Sequence, residues 1–288
     1  MRLFVFGAGF SSKAFIEKAG HRFEWIGGTT RSAEKADRLK SMGVEPFLFD
    51  GEKPIAQISE ALKGTTHVLV SIAPNETGDP VLHQHAKDIA AARPHWIGYL
   101  STVGVYGNHD GLWVNEETPC KPVSKRSIQR VEAENAWQAF GDDNGLIVQI
   151  FRLSGIYGPG RNTFENFKKG TARRLIKPGQ VFNRIRVEDI AGVLELAIEY
   201  PRSRIFNVTD DEPAPPQDLV TFAATLLGVD PPVEIPFETA ELSPMARSFY
   251  GENKRVSNQR VKQELGYQFL YPEYRESLRN IYSTKNND

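Results

Sequence analysis

Gly7, Gly9 and Ser12 stand in a G-x-G-x-x-S arrangement within "FVFGAGFSS", directly after an apolar run. Glycine in the first position permits a tight turn. In the second it lets a pyrophosphate approach the backbone, where the free N–H groups and dipole of a helix start stabilise its charge. With Phe10 and Ser11 also among its cofactor-binding residues, this loop reads as a dinucleotide-phosphate site rather than an ordinary strand-to-helix turn. Ser12 trades some helix–strand packing for a hydroxyl offered to the phosphates. The next strand-like run ends "WIGGTTRS", where an NAD-specific loop carries an acid for the ribose 2′-hydroxyl. No acid is present here. Thr30, Arg31 and Ser32 bring hydroxyls and a guanidinium suited to a 2′-phosphate, so the expected cofactor is NADP in preference to NAD. Asp50, closing "PFLFD", either reaches the adenine side or starts a turn with Gly51.

These loops need strands and helices to hold them. The first 160 residues alternate apolar runs ("RLFVFGA", "RFEWIGG", "VEPFLF", "THVLVSI", "HWIGYLS", "LIVQIFRLS") with helical segments at Ser11–Lys18, Ala33–Ser41, Pro54–Lys63, Pro80–Ala92 and Ser127–Phe140. Alternation of this kind predicts an α/β fold, a Rossmann-type doubly wound parallel sheet. After Gly160 the segments shorten. "RIRVEDIAGVLELAIEY" reads as a strand leading into a helix, "RIFNVTD" as a strand, and "PPQDLVTFAATLLGV" as a helix that starts on prolines and stops at Gly228. "NQRVKQELGY" reads as a helix ended by Gly266. The expected division is an NAD(P)-binding domain over 1–160 and a smaller, mainly substrate-binding region over 161–288, with 182–200 returning to the sheet.

Composition excludes several classes. Of the 288 residues 40% are hydrophobic and 25% charged, with a formal net charge of −1, which gives no electrostatic reason to expect nucleic acid or an anionic membrane as partner. No apolar run reaches the length of a membrane span, and the N-terminal run lacks a signal-peptide cleavage site. Cys120 is the single cysteine, so neither an intrachain disulfide nor a cysteine zinc site is expected. A cytoplasmic protein is the simplest reading. His83 and His85, two apart on a helix, point to different faces, so no metal site is expected there. The cationic run Phe167–Lys177 reads as a solvated face, or as a surface that meets an anionic substrate.

Three later stretches, "YLSTVGVYG" (Tyr99–Gly107), "FRLSGIYGPGRN" (Phe151–Asn162) and "RIRVEDIA" (Arg184–Ala191), resemble the extended short-chain dehydrogenase/reductases, the nucleotide-sugar epimerase and dehydratase group. They come in the family's order and roughly its spacing, and the C-terminal "NKRVSNQRVKQELGYQFLYPEYRESL" is similar to the tail of an atypical subgroup. The resemblance implies a Rossmann domain carrying NAD(P) and a C-terminal substrate cleft. It assigns Thr102 to the substrate oxygen. Aligning "RVEAE" with the family's K-x-x-x-E helix puts Arg126 at the catalytic tyrosine and Arg130 at the lysine four residues on; both are lost. A guanidinium holds its proton up to a pH above about 12 and is a poor acid or base. Arg130 can still clamp a nicotinamide ribose or a phosphate, and Arg126 an oxyanion or an acidic substrate.

Tyr106 and Tyr157 lie in motifs that face the family's cleft, as alternative phenolic acids or as packing residues. His109, Asp110, Glu116 and Glu117 sit on a loop near the expected site. Arg161 and Arg186 are the expected substrate-binding residues, and Asp189 is expected to cap or orient the helix it begins. The family's dimerisation mode implies a homodimer through Pro80–Ala92 and Ser127–Phe140. Two readings follow. One is an NADP-dependent oxidoreductase or epimerase-like enzyme with a non-standard catalytic set, acting on a small molecule of anionic or nucleotide-sugar type. The other is a non-catalytic NADP(H)-binding sensor or scaffold, and a weaker third is a nucleotide-sugar binder without redox chemistry.

Overall fold

Strand β1 (Arg2–Phe6) shows how the sheet is covered. Leu3 and Val5 pack on one face among Phe15, Ile16, Ile190 and Val193; Phe4 and Phe6 pack on the other among Ile58, Val81, Ile89 and Trp137. Side chains alternate along a strand, so one buried on both faces reads as a continuous apolar run. The computed structural model describes residues 1–285. Its first part runs α1 (Phe10–Ala19), β2 (Trp25–Thr30), α2 (Ala33–Ser41), β3 (Glu45–Leu48), α3 (Ile58–Ala61), β4 (His67–Val70), α4 (Pro80–Ala92) and β5 (Trp96–Thr102). The middle holds β6 (Trp113–Val114), α5 (Lys125–Asn144), β7 (Val148–Leu153), β8 (Gly155–Tyr157), α6 (Thr163–Lys168), β9 (Arg174–Ile176), β10 (Arg184–Arg186) and α7 (Val187–Ala197). The last part comprises β11 (Arg204–Val208), α8 (Pro216–Leu227), β12 (Glu234–Pro236), α9 (Pro244–Phe249), β13 (Arg255–Val256), α10 (Gln259–Glu264) and α11 (Tyr274–Lys285).

Seven strands form a wholly parallel sheet in the order β11-β7-β5-β4-β1-β2-β3. Helices α1, α2 and α7 cover one face and α3, α4 and α5 the other. This is a doubly wound α/β fold. The strand order reverses between β1 and β4, and ligands of such sheets bind in the crevice beyond the carboxyl ends of the strands at that point.

Two segments differ from expectation. The helix over 54–63 contracts to the single turn of α3, because Gln57 takes a left-handed conformation (φ 60°) just before it. The return over 182–200 supplies helix α7 and not a sheet strand. Strand β10 pairs with β8, which continues β7 past a break at Ser154, so both lie off the end of the sheet. The sheet itself gains β11. The smaller region adds two further parallel pairs, β9 with β12 and β6 with β13. A cluster of Phe164, Ala223, Tyr274, Leu278 and Ile281 joins α6, α8 and α11. Among the described residues no helix is long and apolar enough to cross a membrane.

A buried ion pair pins α5 to the sheet. Arg152 on β7 donates through Nε and Nη2 to both Glu134 carboxylate oxygens at 2.7–3.2 Å, and Ser101 on β5 donates to Glu134 Oε1 at 2.5 Å. Both charged side chains are at most 5% exposed. Burial works against the Arg152 charge, but the Glu134 carboxylate reverses that and raises its pKa above the ordinary value. Truncating one partner of such a pair strands the other in low dielectric. Glu134→Ala is expected to lower the unfolding free energy by about 3–5 kcal/mol, read from urea denaturation; a loss below about 1 kcal/mol, the surface-pair range, would show the pair to be dispensable.

Two histidines sit within the helical layers as neutral groups. His67 packs between the rings of Phe23 and Trp96, and burial pushes its pKa down to about 4. His85 is fully enclosed against Phe6 and Phe49, accepts the Ile55 N–H at 3.3 Å, and is likewise lowered by burial. An unfolded histidine protonates near pH 6.5, so the unfolded state binds protons that the folded state refuses. The stability these residues protect is therefore complete above pH 6.5 and declines as the pH falls toward 4. Denaturation at pH 7 and pH 4.5 should show His67→Phe losing about 1–2 kcal/mol less than wild type over that interval; equal losses would refute the assignment.

Candidate active site

Gly7 (φ +92°) cannot carry a side chain: a Cβ there would stand 2.9 Å from Ile72 Cγ1 and 3.2 Å from Ile72 N. Its N–H donates to Thr29 Oγ1 at 2.7 Å, tying the turn to β2. Gly9 is the N-cap of α1 and supplies no side-chain cap, so the N–H groups of Phe10, Ser11 and Ser12 have no acceptor within the helix. A Cβ on Gly9 would meet only Gly7 O, at 3.9 Å. The open side and the free donors fit the pyrophosphate of a dinucleotide. Ser12 departs from expectation. Fully buried, it donates its hydroxyl to Gly7 O at 2.9 Å and so clamps the turn instead of facing a phosphate. At the end of β2, Thr30 is half-buried and Ser32 caps α2 through its backbone only. Arg31 is exposed, with no ion pair among the described residues. Asp50 accepts the Glu52 N–H at 2.9 Å, which holds its carboxyl below the ordinary range. That is the turn role.

Beyond β5 and β7 lies a cleft of about 660 Å³. Helix α5 borders it at its N-terminal end through Arg126, Ser127 and Arg130, and the inward stripe continues along the helix as Glu134 and Trp137, buried against the sheet. Ser124 caps the helix and donates to Ser127 Oγ at 2.9 Å. Ser127 Oγ lies 3.1 Å from where a Cβ on Gly104 would stand, and Thr102 Oγ1 accepts the Gly104 N–H at 3.1 Å. Thr102 and Ser127 thus flank one turn in the cleft wall. Ser127 was not singled out from sequence; the S-x-x-S cap, three residues before Arg130, was the available signal. Arg130 lines the cleft but commits Nη1 to Leu100 O at 2.7 Å and to Tyr99 Oη at 3.2 Å. Arg126 is exposed, its guanidinium 5.8 Å over the Phe249 ring.

Neither expected phenol is open to this space. Tyr106 is fully buried, donating to Asn207 Oδ1 at 2.7 Å and accepting from Arg152 Nη1 at 3.0 Å; burial pushes its pKa up to about 12. Tyr157 borders the cleft, but its ring belongs to the α8–α11 cluster and its hydroxyl is enclosed without a well-formed hydrogen bond. Burial raises its pKa further.

Arg186 does not line the cleft. Only 2% exposed, it grips Glu188 at 2.7 Å, Ser277 and Asn280, with its guanidinium 4.2 Å over Tyr271, so it ties α7 to α11. Arg184, two residues earlier, lines the cleft instead. Arg161 is where expected, in the cleft wall and 5.7 Å over the Phe10 ring at the start of α1. Asp189 does not cap α7: its carboxylate accepts from Tyr267 Oη and from the N–H groups of Leu270 and Tyr271, anchoring the C-terminal segment. The 108–119 loop is likewise structural. His109 Nε2 lies 3.1 Å from Tyr106 O, Asp110 accepts from Asn108, Glu116 accepts the Asn207 N–H at 2.8 Å and Glu117 pairs with Arg260. In the cationic run, Arg174 pairs with Glu234 at 2.8 Å and Arg173 reaches Glu241 O. Two cleft residues had no sequence signal of their own, Glu252 and Lys254.

Comparison with known proteins agrees with the α/β fold. A functionally unknown conserved protein from Silicibacter pomeroyi DSS is 45% identical, covers 99% of both chains and superposes with a TM-score of 0.89. "Protein YeeZ" of Escherichia coli (strain K12) is 28% identical over 258 residues, 85% of this chain and 86% of its own. MoeE5, solved with UDP-glucose and NAD, is 17% identical with a TM-score of 0.79 over 100% of this chain and 99% of its own, a likeness of fold. Residues 51–208 match the family model described as "NAD dependent epimerase/dehydratase family". The matched stretch is more than half of the 288 residues, and with it the chain belongs to the NAD dependent epimerase/dehydratase family.

Proposed function

We propose that the protein is an NADP-linked oxidoreductase or epimerase-like enzyme that acts on a small anionic molecule, of sugar-nucleotide or carboxylate type, without the family's tyrosine. The observation that carries this reading is the Gly7–Gly9 cradle beside the cleft: a Cβ-free turn and uncapped helix start within reach of a wall that holds Arg161 over Phe10. When bound there, the nicotinamide supplies or removes a hydride. The N–H groups of α1 hold the pyrophosphate; Thr30, Arg31 and Ser32 take the 2′-phosphate. Thr102 and Ser127 offer hydroxyls to the reacting oxygen. Arg126, Arg161 and Arg184 draw in the anion, and Arg130, fastened to Leu100 O, holds its charge at a set place in the wall. The paired helices α4 and α5 are the surface proposed for a homodimer.

The second reading, a sensor that binds NADP(H) without turnover, is favoured by the locked phenols of Tyr106 and Tyr157. Calorimetry and a substrate panel separate the two. NADPH is expected to bind, with Arg31→Ala weakening it by about 10- to 100-fold, the loss of one charge-assisted phosphate contact, while NADH affinity stays unchanged. An equal loss for both cofactors would rule out the 2′-phosphate role. NADPH oxidation with any member of a carbonyl and sugar-nucleotide panel supports the enzyme; tight binding with no oxidation across the panel favours the sensor.

A further inference from the structure

Six charged side chains line the cleft among the described residues: Arg126, Arg130, Arg161, Arg184, Glu252 and Lys254. Four are guanidiniums, which keep their protons at any pH an enzyme meets. With the Tyr157 hydroxyl enclosed, Lys254 and Glu252 are the charged lining residues, among those described, that can give up or accept a proton there.

Lys254 is held for that task. It is 5% exposed, and Nζ donates to Gly107 O at 2.8 Å and to Glu252 Oε2 at 2.5 Å. An ammonium has three N–H groups, so one stays uncommitted on a residue that borders the cleft. Gly107 is the C-cap of the 3-10 turn that Thr102 N-caps, so the amine is tied to the far end of the turn whose start carries the Thr102 hydroxyl. The lysine backbone is fixed as well: Asn183 donates to Lys254 O at 2.9 Å and accepts the Val256 N–H at 2.8 Å.

We infer that Lys254, paired with Glu252, exchanges the proton with the substrate oxygen in this cleft, in place of the tyrosine missing at Arg126. This rests on the oxidoreductase reading above. In the reductive direction, hydride from the reduced nicotinamide adds to the carbonyl carbon and the C=O π pair moves onto oxygen. The oxygen takes a proton from Nζ, so one N–H bond breaks as one O–H bond forms. The neutral amine then recovers a proton from solvent, and oxidation runs the same step backwards. Burial lowers the Lys254 pKa from 10.5, and the Glu252 carboxylate opposes that shift. Removing the carboxylate should therefore lower it further.

The test uses the full chain with NADPH, with Lys254→Arg, which keeps a cation beside Glu252 but holds its proton, and Glu252→Gln. If wild type turns over, Lys254→Arg is expected to lose at least about 100-fold in kcat with NADPH affinity within about twofold, and Glu252→Gln to move the alkaline limb of the kcat profile to lower pH. Turnover by Lys254→Arg within a few-fold of wild type, or an unmoved limb in Glu252→Gln, overturns the inference and leaves the oxidoreductase reading intact. A readout independent of turnover is the Cε resonance of Lys254 in 13C-lysine-labelled protein, assigned by its absence in Lys254→Arg. Titration below that of the exposed lysines, falling further in Glu252→Gln, is the expected result, and absence of wild-type turnover across the panel would sink the oxidoreductase reading and with it this proton transfer. Titration together with the exposed lysines overturns it.

Discussion

The Arg152–Glu134 pair is the constraint on which the cleft depends. Two opposite charges removed from water repay their desolvation only when geometry is good and the remaining donors are satisfied. Arg152 meets that condition by spreading its donors over Glu134, Tyr106 and Cys120. The pair sets the rotation of α5 against β5 and β7. Once Glu134 must face inward, Ser127 and Arg130 face the cleft by helical geometry, and position 126 is carried to the exposed rim. Tyr106 is consumed by the same network, its proton given to Asn207 and its lone pair to Arg152.

The register of α5 is held by a residue that does no chemistry, so positions 126 and 130 can change without disturbing it. Arginine in both places makes the wall more positive and less able to titrate. The fixed cations leave the handling of protons to whichever group can ionise. Lys254 and Glu252 come from the far end of the chain, and Lys254 is joined to Gly107 across 147 residues.

The smaller region is fastened to the Rossmann half by buried polar ties as much as by apolar packing. Arg186 links α7 to α11 through Ser277 and Asn280. Asp189 holds the 267–271 segment by three acceptor contacts. Each satisfies groups that would otherwise be buried without partners, which is why these residues, though they look like ligand-binding charges, are unavailable to a ligand.

Patterns that depend on neighbours in the chain were legible in the sequence. The strand runs, the Gly7–Gly9 turn and the α5 helix follow from local spacing, and the parallel doubly wound sheet follows from their alternation. The absence of a tyrosine from α5 and of a lysine at position 130 was also visible there. What the sequence did not disclose is which side chains share a space. Arg184 and Arg186 look equivalent and both are buried, but α11 engages Arg186 through Ser277 and Asn280 while Arg184 borders the cleft. Ser12 looks like a phosphate ligand until the Gly7 carbonyl claims its hydroxyl. Lys254 lies in the C-terminal stretch that resembles the tail of an atypical subgroup, but nothing local marks it as a cleft residue. Its place in the cleft is decided by contacts between segments far apart in the chain, and a hydrogen bond or a burial cost of that kind exists only once the tertiary structure has brought the partners together.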